Sequence, residues 1–418
     1  MPTRKLLKPI TLATLALWTV VAFVPTAWSE AKSPLLFVAE GEALGGYSET
    51  TGHGGTGSTL DNWLVSPTLK LNDSLYWINL YNGSYNHSSQ VVAQDEGGRR
   101  AQTTQEHDLT TSLKYNVNET WSLRPIFFAD WVFVNETKDE SFGNGLYDYR
   151  DIGGGIESAW VTLKTEERFE ETRLGFRYLD RQYPNYHSLL SLFDPNGSIE
   201  NNEKDLNGYK INLTRDVTVK NGWSWGLEGI FFYKDFTDKK TVNSNGIRTG
   251  SGREDTLEYI NANIAHPLGA GWTFRLDGQA AFNQSNLDFY DTRNTATFAD
   301  DNFLPDYFDY TSLTVKPSFT YRKNLGEEKD FILTLDYAFN ALLYSGRKAQ
   351  NVSGVYKSGD EEDYSHTFSG KTSYPITKNV SWVVYGSYTI ADSNQEFENF
   401  YLYNYDLWTA VTGVSLKF

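Results

Sequence analysis

From Trp272 to Asn283 the chain alternates without a break: Trp272, Phe274, Leu276, Gly278, Ala280 and Phe282 interleave with Thr273, Arg275, Asp277, Gln279 and Asn283. A period of two over that length is a β-strand with one apolar and one polar face. Alternation also runs through Leu313 to Tyr321, Phe331 to Phe339 and Trp382 to Ile390, and Pro317 predicts a bulge in the first of these. Sixteen such segments follow one another, at 35–48, 59–71, 75–87, 103–117, 121–135, 147–163, 170–183, 205–218, 222–236, 253–267, 271–285, 308–322, 330–344, 362–375, 379–392 and 403–418. Each has about ten residues or more, enough to cross a bilayer core at a tilt of roughly 40°. The apolar phase slips in the second, third, sixth and tenth, so counts from fourteen to eighteen satisfy the pattern.

The connections alternate in length. Short turns such as Asn72-Asp73-Ser74, Asn118-Glu119-Thr120, Leu268-Gly269-Ala270 and Thr377-Lys378-Asn379 separate long polar stretches at 49–58, 88–102, 136–146, 184–204, 237–252, 286–307, 345–361 and 393–402. A soluble sandwich has no reason to keep that alternation over a whole chain. The pattern predicts an all-β fold, a transmembrane up-and-down antiparallel β-barrel of about 16 strands with short periplasmic turns and long extracellular loops. Mean hydropathy argues for a soluble protein, but only alternate residues of a spanning strand meet lipid. The aromatic content, 15%, suits a barrel whose interfaces are girdled with amphipathic rings.

At the other end, Arg4, Lys5 and Lys8 precede an apolar stretch from Ile10 to Val24, and Ala27-Trp28-Ser29 supplies small residues at cleavage spacing. Residues 1–29 are expected to be a signal peptide and 30–418 a single barrel domain. A membrane anchor is the alternative, but the stretch is short, holds Thr11, Thr14 and Thr19, and runs into Pro25. The chain has no cysteine, which rules out a lipid-anchored lipoprotein, a disulfide framework and a thiolate metal site. Formal charge is -16, and loss of the three leader cations takes it to -19. Nucleic acid is therefore not an expected partner, since binding it rests on neutralising phosphates.

The final segment, Gly413-Val414-Ser415-Leu416-Lys417-Phe418, places Trp408, Ala410, Val414 and Leu416 on one strand face and closes on an aromatic ring. It resembles the C-terminal signal by which the β-barrel assembly machinery recognises outer-membrane proteins, with Gly413, Leu416 and Phe418 at the matching positions. Val411 stands where that signal usually has a polar residue. The mature chain thus resembles the outer-membrane β-barrel proteins of Gram-negative bacteria, and sixteen strands match the size of general porins. The connection after the fifth segment lacks the Pro-Glu-Phe-Gly-Gly type motif of their constriction loop. The resemblance implies a bacterial outer-membrane location and, as partners, outer-membrane lipid, lipopolysaccharide and the assembly machinery.

If the apolar face meets lipid, the polar face lines a lumen. Leu174, Phe176 and Tyr178 then turn Arg173, Arg177 and Arg181 inward, because arginines in hydrocarbon would cost about 2–4 kcal/mol each near the midplane. Arg124, Asp130, Glu228, Arg275, Asp277, Lys316 and Asp336 are predicted to line the same pore. The arginine column either selects anionic solutes at a constriction or pairs with acids such as Glu228 and Asp130 and stiffens the wall. Two loops are candidates for an inward fold: 184–204, whose stretch Pro184 to Phe193 is too apolar for an extracellular surface, and 286–307, rich in Asp and aromatic rings.

The function expected is a porin-like channel for passive passage of small hydrophilic solutes. The alternatives are a conduit for polysaccharide export, working with periplasmic partners, and a plugged structural or adhesive barrel. The six histidines are expected in loops or near strand ends, no Gly-x-Ser-x-Gly nucleophile motif occurs, and His87-Ser88-Ser89 only faintly suggests rim catalysis. No enzyme activity, metal or cofactor is expected.

Overall fold

In hydrocarbon, a strand must find hydrogen-bond partners along both of its edges, and this chain meets that demand by closing on itself. The computed structural model describes residues 34–51, 54–87, 91–92, 99–100, 103–135, 141–187, 202–291, 302–398 and 402–418. Sixteen antiparallel strands form one closed barrel in chain order. They are β1 (Leu35–Thr50), β2 (Gly54–Lys70), β3 (Leu75–His87), β4 (Thr103–Asn116), β5 (Trp121–Asn135), β6 (Tyr149–Lys164), β7 (Arg168–Gln182) and β8 (Leu206–Val219), followed by β9 (Ser224–Val242), β10 (Arg248–Gly269), β11 (Trp272–Ser285), β12 (Tyr310–Asn324), β13 (Asp330–Gln350), β14 (Tyr356–Pro375), β15 (Val380–Ser393) and β16 (Tyr405–Lys417). The expected leader, 1–29, lies outside the described residues.

The seam joins β1 to β16, from Glu40 opposite Lys417 to Thr50 opposite Leu407. Phe418 extends it: its N–H donates to the Ala39 carbonyl at 2.8 Å and its own carbonyl accepts from Ala39 N–H at 3.1 Å. Gly413 sits so close to the Ala43 carbonyl that a Cβ there would collide with backbone. Val411 packs inside the barrel with Leu44 and Val383, flanked by Leu60 and Tyr385, so its apolar character serves an inner patch beside the seam.

Three connections expected as long polar loops, 49–58, 237–252 and 345–361, are largely strand. There β1 and β2, β9 and β10, and β13 and β14 run on as hairpins to narrow turns. Beyond lipid both faces of a strand are wet, so the apolar alternation stops while backbone pairing continues. Register shifts fall at this transition, between Asp235 and Lys240 and between Leu343 and Lys348. The expected bulge at Pro317 is absent: Leu276 still faces Pro317, and β12 keeps one register with β13 on either side of it. Proline withholds a donor here without adding a residue. In the periplasmic turn after β10, Gly269, Ala270 and Gly271 all have positive φ (88°, 51° and 86°), a path that glycine permits at little cost.

The outer face carries large exposed apolar side chains on alternate residues, among them Phe127, Ile156, Leu174, Phe176, Ile211, Leu213, Leu335 and Phe368. Aromatic rings bound this band. On the periplasmic side Trp272 packs on Tyr321 at 5.1 Å, and Trp160 and Trp382 are exposed at the same end of β6 and β15. On the outer side Tyr178, Tyr209 and Tyr233 form a chain of ring contacts at 5.4 and 6.2 Å, and Tyr47 meets Trp408 at 5.4 Å. Trp121 and Trp131 lie at opposite ends of β5's outward face, about 25 Å apart along the axis at the rise and tilt of barrel strands, the height of an outer-membrane core.

Gly413→Val should weaken the seam by roughly 1–3 kcal/mol, the usual cost of forcing atoms into a packed site. Gly45→Ala on the same seam has open space around its Cβ and should be neutral. The temperature at which the folded band is lost in detergent electrophoresis measures both.

Candidate functional site

Residues opposite the apolar face point into the barrel, and one ion pair makes the direction plain. Lys371 Nζ on β14 lies 2.7 Å from Glu42 of β1, although β15 and β16 stand between these strands. Such a chord closes only across the interior.

Three cross-strand rows organise the wall. The first joins Glu40, Leu64, Asn82, Asp108, Asp130, Asp151 and Arg181, directly opposite one another from β1 to β7. Arg181 grips Asp151 through two bonds of 2.7 Å and stacks on the Tyr149 ring at 4.2 Å. No ion pair or hydrogen bond engages the Asp108 or Asp130 carboxylate among the described residues. The second row sets Arg177 beside Lys210, and Lys210 beside Phe232. Lys234, two residues on from Phe232, holds its ammonium 5.3 Å from that ring. Among the described residues, no carboxylate lies within ion-pair distance of Arg177, Lys210 or Lys234.

The third row is a belt of mutually bonded polar groups. Glu228 accepts from Thr214 at 3.4 Å and from Asn261 at 3.0 Å, Gln279 donates to Asn261 at 2.8 Å, Thr314 donates to Asn340 at 2.8 Å, and Asn340 donates to Ser365 at 3.1 Å. At its β7 end Arg173 pairs with Asp216 on β8.

The predicted arginine column is thus three different situations. Arg173 and Arg181 are neutralised, by Asp216 and Asp151 instead of the expected Glu228 and Asp130, and Arg177 carries free charge. Arg124 pairs with Glu157 at 2.8 Å and Arg275 with Asp277 at 2.6 Å. Lys316 stands opposite Asp277, and Asp336 opposite Ser318 and Ser369. Pairing was not legible from one strand, since partners come from neighbours distant in sequence.

Two recesses open on this wall. One, of about 490 Å³, is lined by Glu40, Glu42, Asn62, Asn82, Glu106 and Asp108 with Lys371; the other, of about 370 Å³, by Arg173, Arg177, Asn212, Thr214, Glu228, Asn261 and Asn263. Asp108 and Asp130 are unpaired on β4 and β5 and Arg177, Lys210 and Lys234 on β7 to β9, where Glu228 has only neutral partners; Lys316 and Asp336 on β12 and β13 also lack an ion pair among the described residues.

The extracellular rim is built from stacked cations. Arg253 lies between the Phe236 and Phe308 rings at 4.4 and 4.5 Å and bonds Asp255. Arg347 lies between Tyr307 and Tyr344 at 4.4 and 3.9 Å. Lys204 sits among Tyr147, Tyr183 and Tyr186 at 5.1 to 5.8 Å, where burial pushes its ammonium below the usual range. Glu203 binds both Lys239 and Arg248. Most of the two loops expected to fold inward, 188–201 and 292–301, lies outside the described residues. The acidic run at 360–363 is used singly: Asp360 on Lys348, Glu361 near Arg347, Glu362 on Tyr364 and Asp363 on Ser393.

Histidines are distributed differently from expectation. His107 and His366 lie within strands, each bonded to a tyrosine hydroxyl (Tyr81 at 2.7 Å, Tyr337 at 2.8 Å) among aromatic rings. Apolar alternation passes over such a residue because an imidazole packed against rings behaves as one of them. His87 bonds Thr103 at 2.7 Å, while Ser88 and Ser89 lie outside the described residues.

No protein-family model matches the chain, and no curated protein matches its sequence. Solved structures similar in fold include OccAB1 of Acinetobacter baumannii (13% identity, 93% of this chain and 99% of that one, TM-score 0.44). OmpF of Salmonella typhi, solved with daunomycin, has 13% identity over 92% of this chain and 97% of that one, with a TM-score of 0.44. A bacterial polysaccharide outer membrane secretin has 8% identity over 93% and 100%, also at 0.44. The chain's own closed pairing, apolar band and aromatic girdles make it a bacterial outer-membrane β-barrel.

Arg181→Gln should destabilise the barrel by roughly 1–3 kcal/mol, because it strands the buried Asp151 carboxylate, and Arg173→Gln by about 1 kcal/mol or less, because Asp216 is half-exposed and stays hydrated. Arg177→Gln should leave thermal stability unchanged. Thermal unfolding of the three variants in one detergent compares them.

Proposed function

We infer that the barrel is a passive channel for small hydrophilic solutes, selective through charge on its wall. The observation that supports this most directly is the sorting of unpaired charge. Asp108 and Asp130 face the lumen from one arc, and Arg177, Lys210 and Lys234 from another. A charge on a wall that carried only structural load would be expected to find a partner, as Arg173, Arg181 and Arg275 do. Charge left without one acts on whatever moves past it, and low-dielectric walls focus its field. Such a role requires no bond making.

The test is conductance of the purified barrel in planar bilayers. Discrete open steps are expected; a silent barrel would oppose the reading and favour a plugged one or an export conduit opened by partners. Arg177→Gln with Lys210→Gln should shift reversal potentials toward cations, and Asp130→Asn toward anions. Both shifts should be large at 0.01 M salt, where screening extends over about 30 Å, and fade near 1 M, where it extends over about 3 Å.

A further inference from the structure

The recess of about 370 Å³ on β7 to β10 has a composition that a general aqueous lining does not require. Arg177 lines it as a guanidinium without an ion-pair partner, and Lys210, directly opposite Arg177 on β8 and likewise without one, borders the lining residues. Around it stand neutral hydrogen-bonding groups, Asn212, Thr214, Asn261 and Asn263. Its carboxylates are already engaged: Asp216 by Arg173, Glu157 by Arg124, and Glu228 by Thr214 and Asn261. Gly155 and Gly175 leave the wall flat at this height: a Cβ on the first would press into the Arg177 side chain, and one on the second into Asn212.

This arrangement discriminates among hydrophilic solutes. A polyanion would meet Glu228, a carboxylate whose partners are all neutral, within the same recess and be repelled. A neutral polyol would satisfy the amides but leave the guanidinium without its strongest type of partner. A simple carboxylate would pair with Arg177 and Lys210 and leave the amide array unused. The ligand that uses every group carries one carboxylate and several hydroxyls, and a volume of this size holds about one or two sugar rings.

We propose that this recess is a binding step for sugar acids of the uronate type. The carboxylate pairs with Arg177 and Lys210, and the hydroxyls exchange hydrogen bonds with Asn212, Thr214, Asn261 and the engaged carboxylates. The inference rests on the channel reading above and names the solute class of that lumen. A weak, reversible step of this kind raises local solute concentration, provided that binding stays loose enough for release.

The experiment is calorimetry on the full folded barrel in detergent with three probes: glucuronate, glucose and acetate. Glucuronate should bind at least tenfold more tightly than either of the others, since neither supplies both carboxylate and hydroxyls. Arg177→Gln and Lys210→Gln should each weaken glucuronate binding about tenfold, the effect of losing one charge-assisted hydrogen bond. Both variants keep the ion pairs of the wall, and Lys378→Gln, in an exposed periplasmic turn, controls for loss of one positive charge. Acetate or glucose binding as well as glucuronate, absence of glucuronate binding, or unchanged affinity in both variants would each overturn the proposal. Bilayer conductance keeps the two readings apart. Open steps without glucuronate binding remove the sugar-acid step alone, and glucuronate binding to a silent barrel removes passive passage alone.

Discussion

Everything in this fold follows from the cost of an unpaired peptide group in hydrocarbon. Each N–H or C=O left without a partner there costs several kcal/mol, and a flat sheet of sixteen strands would expose two full edges. Pairing of β1 with β16 abolishes both edges. The close approach at Gly413 and the bonds of Phe418 to Ala39 belong to that closure. The terminal aromatic therefore completes the hydrogen-bonded cylinder as well as ending the chain.

Closure then divides the side chains. Alternate residues meet lipid and must be apolar, and the remainder face a shared interior. That interior collects charges of both signs, and most of them meet by cross-strand register: Arg181 with Asp151, Arg124 with Glu157, Arg173 with Asp216. The amide and hydroxyl belt through Glu228, Asn261 and Gln279 does the same work without net charge. Against that habit of pairing, Arg177, Lys210, Lys234, Lys316, Asp108, Asp130 and Asp336 keep their charge without an ion-pair partner among the described residues.

Above the membrane the governing force changes. The hairpins of β9 with β10 and β13 with β14 rise beyond the apolar band, and no lipid dictates which face is apolar. Planar guanidinium groups stacked on aromatic rings, Arg253 on Phe236 and Phe308 and Arg347 on Tyr307 and Tyr344, take over as the means of holding loops together. Such contacts combine apolar area with attraction of the cation to the ring face, worth about 0.5–2 kcal/mol each.

Within the membrane, the alternation of Trp272 to Asn283 or Leu174 to Arg181 was enough to place strands, to assign their faces and to predict sixteen of them, because lipid acts on every second residue independently of its neighbours. The short periplasmic turns were legible for the same reason. The hairpin extensions were not, since paired backbone above lipid leaves no apolar period, and Pro317 suggested a bulge that an unbroken register makes unnecessary. The site divides along the same line. That Arg173, Arg177 and Arg181 share the polar face of β7 follows from period two alone, but which of them keeps its charge depends on β6 and β8 delivering Asp151 and Asp216 to the right heights. A strand's pattern determines which way its side chains point; only the closed barrel, by setting register between distant segments, decides which charges cancel and which remain exposed to a solute.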